Sequence, residues 1–113
     1  LIRAPARRGT GGSSAMVIGV LVADLLLGDV QSLKQKRAVI RPMLAALRRL
    51  DVAAAETGSL DLHRRAELSV SVLAAQQAHV VEVLDRCERM IADNVEMTVL
   101  STWRRILTGE DLL

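Results

Sequence analysis

Residues 16–27 read MVIGVLVADLLL, a stretch that is almost entirely apolar and rich in valine and leucine. Gly28 and Asp29 end the run well before the roughly 18 apolar residues that a membrane-spanning helix needs. A strand with apolar residues on both faces is typical of the centre of a sheet. The stretch therefore predicts a central first strand, around which the remaining elements are arranged.

A helix is predicted directly after this strand. Ser32 precedes the next apolar-periodic run and Gln35 follows three residues later, which is the pattern of a capping box. The helix is expected to run to about Leu50. Pro42 lies inside it and has no backbone N–H, so a kink or local break is expected near Arg41, with two short helices as the alternative. Its apolar face is formed by Leu33, Ile40, Met43, Leu44 and Leu47.

The rest of the chain contains three further strand patterns and one further helix pattern. Residues 52–57 (VAAAET) predict a short strand and residues 58–65 (GSLDLHRR) a turn or hairpin loop. Apolar and polar residues alternate in AELSVSVLA (66–74), which predicts an antiparallel strand with one exposed face. A second amphipathic helix is predicted over 77–92 and a last strand over 95–106. The apolar face of the second helix contains Val80, Val83, Leu84, Cys87 and Ile91.

The order β-α-β-β-α-β predicts an α+β, ferredoxin-like fold, with a four-stranded antiparallel sheet and two helices on one face. The domain is expected over 16–107, after a disordered extension at 1–15 and before a loose tail at 108–113. Glu67, Ser69 and Ser71 should lie on the uncovered face of the sheet. Because these three residues are polar, a homodimer is expected to form through edge strands or helices instead.

Charge is distributed unevenly along the 113 residues. The chain has 15 Lys and Arg against 13 Asp and Glu, but three of the arginines fall within residues 1–15. Residues 34–65 carry eight basic and three acidic residues, a local net charge of +5. A polarised domain of this kind is more informative about an anionic partner than the small total charge.

The cysteine count and the N-terminal sequence suggest a cytoplasmic protein without a membrane partner. Cys87 is the single cysteine, so no intrachain disulfide can form and no cysteine-based metal site is indicated. No apolar signal segment precedes Met16, and a secretory signal is therefore not expected. Neither a cofactor nor a metal ion is predicted.

Four cations of the first helix fall within a narrow arc at 100° per residue. A stripe of cations without an acidic neighbour is spaced to follow a phosphate backbone, although a solvated helix face with long side chains is the alternative interpretation. Lys36 lies off this stripe but is a further candidate for phosphate binding, as are Arg64 and Arg65 in the loop between the second and third strands. The four residues of the stripe are Lys34, Arg37, Arg41 and Arg48.

Other residues of the types that take part in catalysis form no recognisable catalytic pattern. Ser59, Asp61 and His63 are the residue types of a nucleophile triad, but their spacing has no diagnostic value and no catalytic residue is predicted. His79 is expected at the surface near the start of the second helix, and Cys87 in the core. The chain has one tryptophan and no tyrosine or phenylalanine, so base stacking on several sheet aromatics is not expected.

Three stretches carry a resemblance to a known family: MVIGVLVADLLLGDVQSLKQKR, AETGSLDLHRRAELSV and AHVVEVLDRCERMI. Together they make residues 16–105 resemble the small bacterial YlxP-like proteins, a family of unknown function. The resemblance implies a ferredoxin-like fold. It also implies, because members are commonly encoded beside translation initiation and ribosome-maturation factors, a role near the small ribosomal subunit or its RNA. The matching positions are Ser32, Leu33, Lys34, Lys36, Arg37, Glu56, Gly58, Asp61, Leu62, Arg65 and Ala66.

The leading hypothesis from the sequence is a non-enzymatic RNA- or ribosome-associated module, with ribosomal RNA or the small subunit as its partner. Phosphates would be held by the helix stripe. A protein-interaction or dimerisation module without nucleic-acid binding is the alternative, and an enzyme acting on a small molecule comes third.

Overall fold

A computed structural model of the protein describes residues 14–112. Four strands and two long helices follow one another in the predicted order, and a helical turn ends the described chain. The sheet has the strand order β2-β3-β1-β4 and every neighbouring pair is antiparallel. The predicted ferredoxin-like fold and the central position of the first strand are thereby confirmed. The elements are β1 (Val17–Leu27), α1 (Leu33–Arg48), β2 (Ala53–Gly58), β3 (Arg65–Ala74), α2 (Gln77–Ala92), β4 (Met97–Thr108) and α3 (Gly109–Leu112).

The core lies between the sheet and the two long helices, and it is almost wholly aliphatic. Alternate residues of β1 are buried, from Val17 to Leu27, because successive side chains of a strand point to opposite faces. Gly19 belongs to this buried face, and a Cβ atom there would lie 2.4 Å from Val80 Cγ1. The absence of a side chain at Gly19 therefore allows α2 to approach β1 closely. The largest fully buried side chains are Leu21, Leu25, Leu27, Leu47, Leu68, Leu84 and Ile91.

Helix α1 continues through Pro42 without interruption, so the predicted break and the two-helix alternative are wrong. Pro42 and Ala38, whose carbonyl loses its helical partner, both lie on the exposed side of the helix, where water can replace the missing hydrogen bond. Burial of Met43 and Leu44 holds the following turn against the core. The Ser32 hydroxyl accepts a hydrogen bond from the backbone N–H of Gln35 at 3.1 Å, which confirms the predicted N-cap.

The chain does not become irregular directly after the last strand. Strand β4 extends to Thr108 and Gly109–Leu112 form a helical turn, where the sequence predicted a loose tail at 108–113. Asp111 accepts hydrogen bonds from the backbone N–H and the hydroxyl of Thr108, at 2.7 and 3.1 Å. These bonds favour the carboxylate and lower the pKa of Asp111. The predicted disordered extension falls, up to residue 13, outside the described residues.

Candidate nucleic-acid interface

Three cations of the predicted stripe stand exposed on the solvent side of α1. Lys34, Arg37 and Arg41 line a shallow depression together with Ala38 and Pro42. Within residues 14–112 the structure shows no hydrogen bond or ion pair of these three side chains. Their guanidinium and ammonium groups are thus available to a ligand.

The local electrostatics of α1 do not favour this arrangement. The helix contains no acidic residue, so the charges at 34, 37 and 41 repel one another at i,i+3 and i,i+4 spacing. Lys34 also lies in the first turn, where the positive end of the helix dipole disfavours a cation. Each like-charge pair costs a few tenths of a kcal/mol. The unfavourable interaction of Lys34 with the helix dipole costs about 0.3–1 kcal/mol. Helix stability therefore gives no account of this cluster.

Lys36 has a different environment from the stripe and does not face solvent. Its side chain is 3% exposed and its ammonium lies 2.6 Å from Glu56 Oε2. It also donates hydrogen bonds to the carbonyls of Ser59 at 2.8 Å and Leu62 at 2.7 Å. One ion pair and two hydrogen bonds thus hold the ammonium within the fold, and Lys36 is removed from the set of phosphate contacts.

The position of Lys36 on α1 was visible in the helical spacing. At 100° per residue, position 36 falls between positions 43 and 47 and close to position 40, within the apolar face. Leu33, which the sequence assigned to that face, is instead 45% exposed at its edge. Lys36 therefore lies off the cationic stripe, as the sequence predicted, and on the buried side of the helix.

Arg48 is exposed but already has a partner in the sheet. Its Nε and Nη2 atoms donate hydrogen bonds to the carbonyl of Ala54 in β2, at 3.2 and 2.8 Å. Strand β2 is an edge strand of the sheet. Arg48 therefore ties the end of α1 to the edge of the sheet.

Arg64 and Arg65 lie on different sides of the molecule. Arg64 is exposed, donates from Nε to the carbonyl of Leu27 at 3.4 Å, and lines a small depression with residues 28–31, which lead into α1. Arg65 pairs with Asp24 at 2.5 Å on the uncovered face of the sheet. Arg64 thus extends the cationic surface near the start of α1, whereas Arg65 is separated from it by the sheet.

Two arginines that the sequence analysis did not consider lie beside the stripe. Arg86 and Arg89 of α2 are exposed and line a groove between the helices, about 590 Å³ in volume, whose floor includes Met43 and Met90. Pro42 borders both this groove and the depression on α1. The sequence signal for Arg86 and Arg89 was their i,i+3 spacing on the polar side of the second amphipathic helix. Glu82 and Asp93 share that face of α2, so its charge is mixed and the uniform cationic surface remains that of α1.

The loop that contains Ser59, Asp61 and His63 serves the fold through its backbone. Ser59 has a positive φ of 56°, and its carbonyl accepts hydrogen bonds from Lys36 and from the backbone N–H of Leu62. Within the described chain no hydrogen bond joins the side chains of Ser59, Asp61 and His63. The geometry therefore brings no nucleophile and base together at this loop.

The remaining titratable residues of interest lie where the sequence predicted them. Cys87 is fully buried, and burial raises the pKa of its thiol. His79 is exposed in the first turn of α2. Over residues 14–112 no group of three or more His, Cys, Asp and Glu side chains is arranged to hold a metal ion. Among those residues, no helix has the length and apolar character to cross a membrane.

These features define a small ferredoxin-like domain with a cationic helix surface. The chain belongs to the family described as Protein of unknown function (DUF503), whose model matches residues 18–104. A comparison with curated proteins finds no match. The matched region begins in β1 and ends in β4, so it contains α1 and the whole sheet except the ends of those two strands.

Proposed function

We propose that this protein is a non-enzymatic, cytoplasmic RNA-associated module that holds phosphates with the exposed face of α1. The observation that carries the proposal is the row formed by Lys34, Arg37 and Arg41, exposed and without an acidic neighbour on the helix. At about 1.5 Å per residue the row is roughly 10 Å long. Nucleic-acid backbones present several phosphates over that distance, and neutralising them releases condensed counterions.

The kind of RNA follows from what this surface contains. Helix α1 has cations but no aromatic side chain on which an unpaired base can stack, since the single tryptophan lies in β4. Recognition through phosphates and shape suits structured RNA. The resemblance to the YlxP-like proteins supports ribosomal RNA, or the small subunit that contains it, as the partner. A reducing compartment is consistent with the free, buried thiol of Cys87.

The proposal is tested by the salt dependence of binding. Binding of a mixed-sequence RNA duplex and of isolated small ribosomal subunits is measured at several salt concentrations, for the wild type and for the double variant Arg37→Gln, Arg41→Gln. Each lost phosphate contact reduces the slope of log K against log salt by about 0.7–0.9. The double variant should therefore bind both partners more weakly and show a flatter slope.

A matched control separates the stripe from total charge. Arg49 is also exposed but lies just after α1, so Arg49→Gln removes one charge without touching the stripe. Arg41→Gln should weaken binding more than Arg49→Gln, at unchanged melting temperature in both variants. Equal affinities for the wild type and the double variant, with both proteins folded, would reject RNA binding and favour a protein-interaction module.

A further inference from the structure

The face of the sheet that the helices leave uncovered is apolar along its β1 and β4 side. In the sheet register Ile18 pairs with Leu73 on one side and with Leu107 on the other, and Val22 pairs with Trp103. Leu73 is 65% exposed and Trp103 53% exposed, while the aliphatic side chains of β1 between them are only partly buried. This open-face patch consists of Ile18, Val20, Val22, Leu73, Trp103 and Leu107.

The sequence predicted a polar uncovered face because only β3 was considered. Glu67, Ser69 and Ser71 do lie on that face, and Thr57 bonds to Glu67 and Ser69 there at 3.0 and 2.6 Å. They occupy the β2 and β3 side, however, and the apolar residues of β1 and β4 complete the surface. Contiguous exposed apolar side chains on one face typically mark an interaction site.

The charges on this face favour a protein over a nucleic acid. Arg65 is paired with Asp24, and the other charged residues of the face are Glu67 and Arg105, one of each sign. A nucleic-acid site requires an excess of cations, which this face does not have. A neutral face with an apolar strip has the anatomy of a protein interface.

The size and charge pattern of the face fit a second copy of the chain. The four strands have 11, 6, 10 and 12 residues, and at about 4.8 Å between strands and about 3.3 Å per residue they cover roughly 600 Å² of flat area. Side-chain relief brings this close to the ~800 Å² that each partner buries in a stable interface. In a two-fold dimer the same patch meets itself, so apolar side chains face apolar ones, and both signs of charge are present for cross-pairing between Arg105 and the carboxylates.

We propose that the open-face patch is the interface of a homodimer in which two sheets pack face to face. The helices then lie on the two outer sides of the assembly, with both α1 surfaces accessible. Dimer formation is therefore independent of the RNA binding proposed for α1, and the two proposals are tested on opposite sides of the sheet.

Trp103 is the only tryptophan of the chain, and it reports directly on burial of the patch. Sedimentation equilibrium of the full chain should show a reversible monomer–dimer equilibrium. Dilution of the protein from above to below the dissociation constant should shift the tryptophan emission to longer wavelength, because Trp103 becomes exposed to water. A protein that stays monomeric up to millimolar concentration, or whose emission does not follow dimer dissociation, would overturn the proposal.

Substitution of Leu73 by Glu tests whether the open-face patch forms the dimer interface. Because the Leu73 side chain is more than half exposed, the substitution leaves the core intact. Across the two-fold contact Leu73→Glu places carboxylates in an apolar interface, and it should raise the dissociation constant by at least about 30-fold. Trp103→Glu should do the same. Leu62→Glu is the matched control, because Leu62 is 54% exposed on the loop outside the patch, and its dimer should be unchanged.

Three results of these variants contradict the proposal. A dimer that survives both Leu73→Glu and Trp103→Glu uses another surface. A dimer lost only in Leu62→Glu is formed by the loop. Weaker RNA duplex binding by Leu73→Glu, with no effect on sedimentation, assigns the patch to a nucleic acid.

Discussion

The ammonium of Lys36 lies 2.6 Å from Glu56 Oε2, in a part of the fold where the lysine side chain is 3% and the glutamate side chain 20% exposed. This ion pair joins α1 to β2, and the same ammonium holds the carbonyls of Ser59 and Leu62 in the loop that follows. Both residues belong to the positions that carry the family resemblance. Lys36, which the sequence offered as a phosphate contact, therefore links three segments of the fold.

Loss of the Lys36 ammonium should be strongly destabilising. Lys36→Met keeps the length of the side chain but leaves the Glu56 carboxylate and two carbonyls without their donor. Breaking a buried pair by removing one partner costs about 3–5 kcal/mol, and the partial exposure of Glu56 places the expected loss near 3 kcal/mol. Urea unfolding measures the change. Lys34→Met, on the exposed side of the same helix turn, should remain within about 0.5 kcal/mol of the wild type; a similar loss in both variants would contradict the structural role of Lys36.

Removal of the Arg48 guanidinium should loosen the edge strand β2. Arg48→Ala deletes the two hydrogen bonds to the Ala54 carbonyl, and because the arginine is exposed the expected loss of stability is about 1 kcal/mol. Hydrogen exchange of the β2 amides should become faster while that of β1 is unchanged. Arg49→Ala is the control, since the structure shows no side-chain hydrogen bond for Arg49 among the described residues. Equal exchange rates in the two variants would show that the contact does not protect the edge.

Addition of a methyl group at Gly19 should push α2 away from β1. The new Cβ would meet Val80 Cγ1 at 2.4 Å and Leu84 Cδ1 at 2.8 Å, and overpacking of this kind costs about 1–3 kcal/mol. Gly28→Ala provides a matched control because, apart from Gly28 and its two chain neighbours, no atom lies within 4 Å of the Cβ position. Val80→Ala combined with Gly19→Ala should recover part of the stability lost in Gly19→Ala alone. The absence of any such recovery, measured by thermal unfolding, would mean that the contact with α2 is not the cause.

The buried thiol of Cys87 should make the protein less stable in alkali. Burial raises the pKa of Cys87 above its usual value of about 8.5, so the folded state keeps the proton over a range in which the unfolded state releases it. Stability is therefore complete below about pH 8.5 and declines as the pH rises through the folded pKa. Cys87→Ala removes this dependence at the cost of a small cavity. An identical decline in stability above pH 8.5 for both proteins would assign it to other groups.

Reagents that require a thiolate test the same burial independently. A disulfide reagent added at neutral pH should react with Cys87 only as fast as the protein opens, and denaturant should restore the rate of a free cysteine. Rapid reaction of the native protein would contradict the position of Cys87 in the core.

The order of elements followed from local patterns alone. Apolar runs in β1, alternation in β3 and helical periodicity in α2 each depend on neighbours in the chain, and the predicted bounds of α2 agree with the structure. The Ser32 cap is equally local, because its partner is three residues away. The order and the periodicities together permitted one familiar arrangement of layers, which is why the fold was predictable.

The partners of charged side chains, by contrast, were decided by tertiary structure. Lys36 and Glu56 are 20 residues apart in different elements, so neither the helical nor the strand period relates them. Arg65 meets Asp24 only because β3 pairs with β1. The continuity of α1 through Pro42 likewise depends on packing that the proline rule does not include. The apolar open-face patch arises from strands β1, β3 and β4, which only the sheet register brings side by side. Sequence periodicity thus determined which face of each element is apolar, while the folded sheet determined which charges are neutralised and which apolar residues remain uncovered.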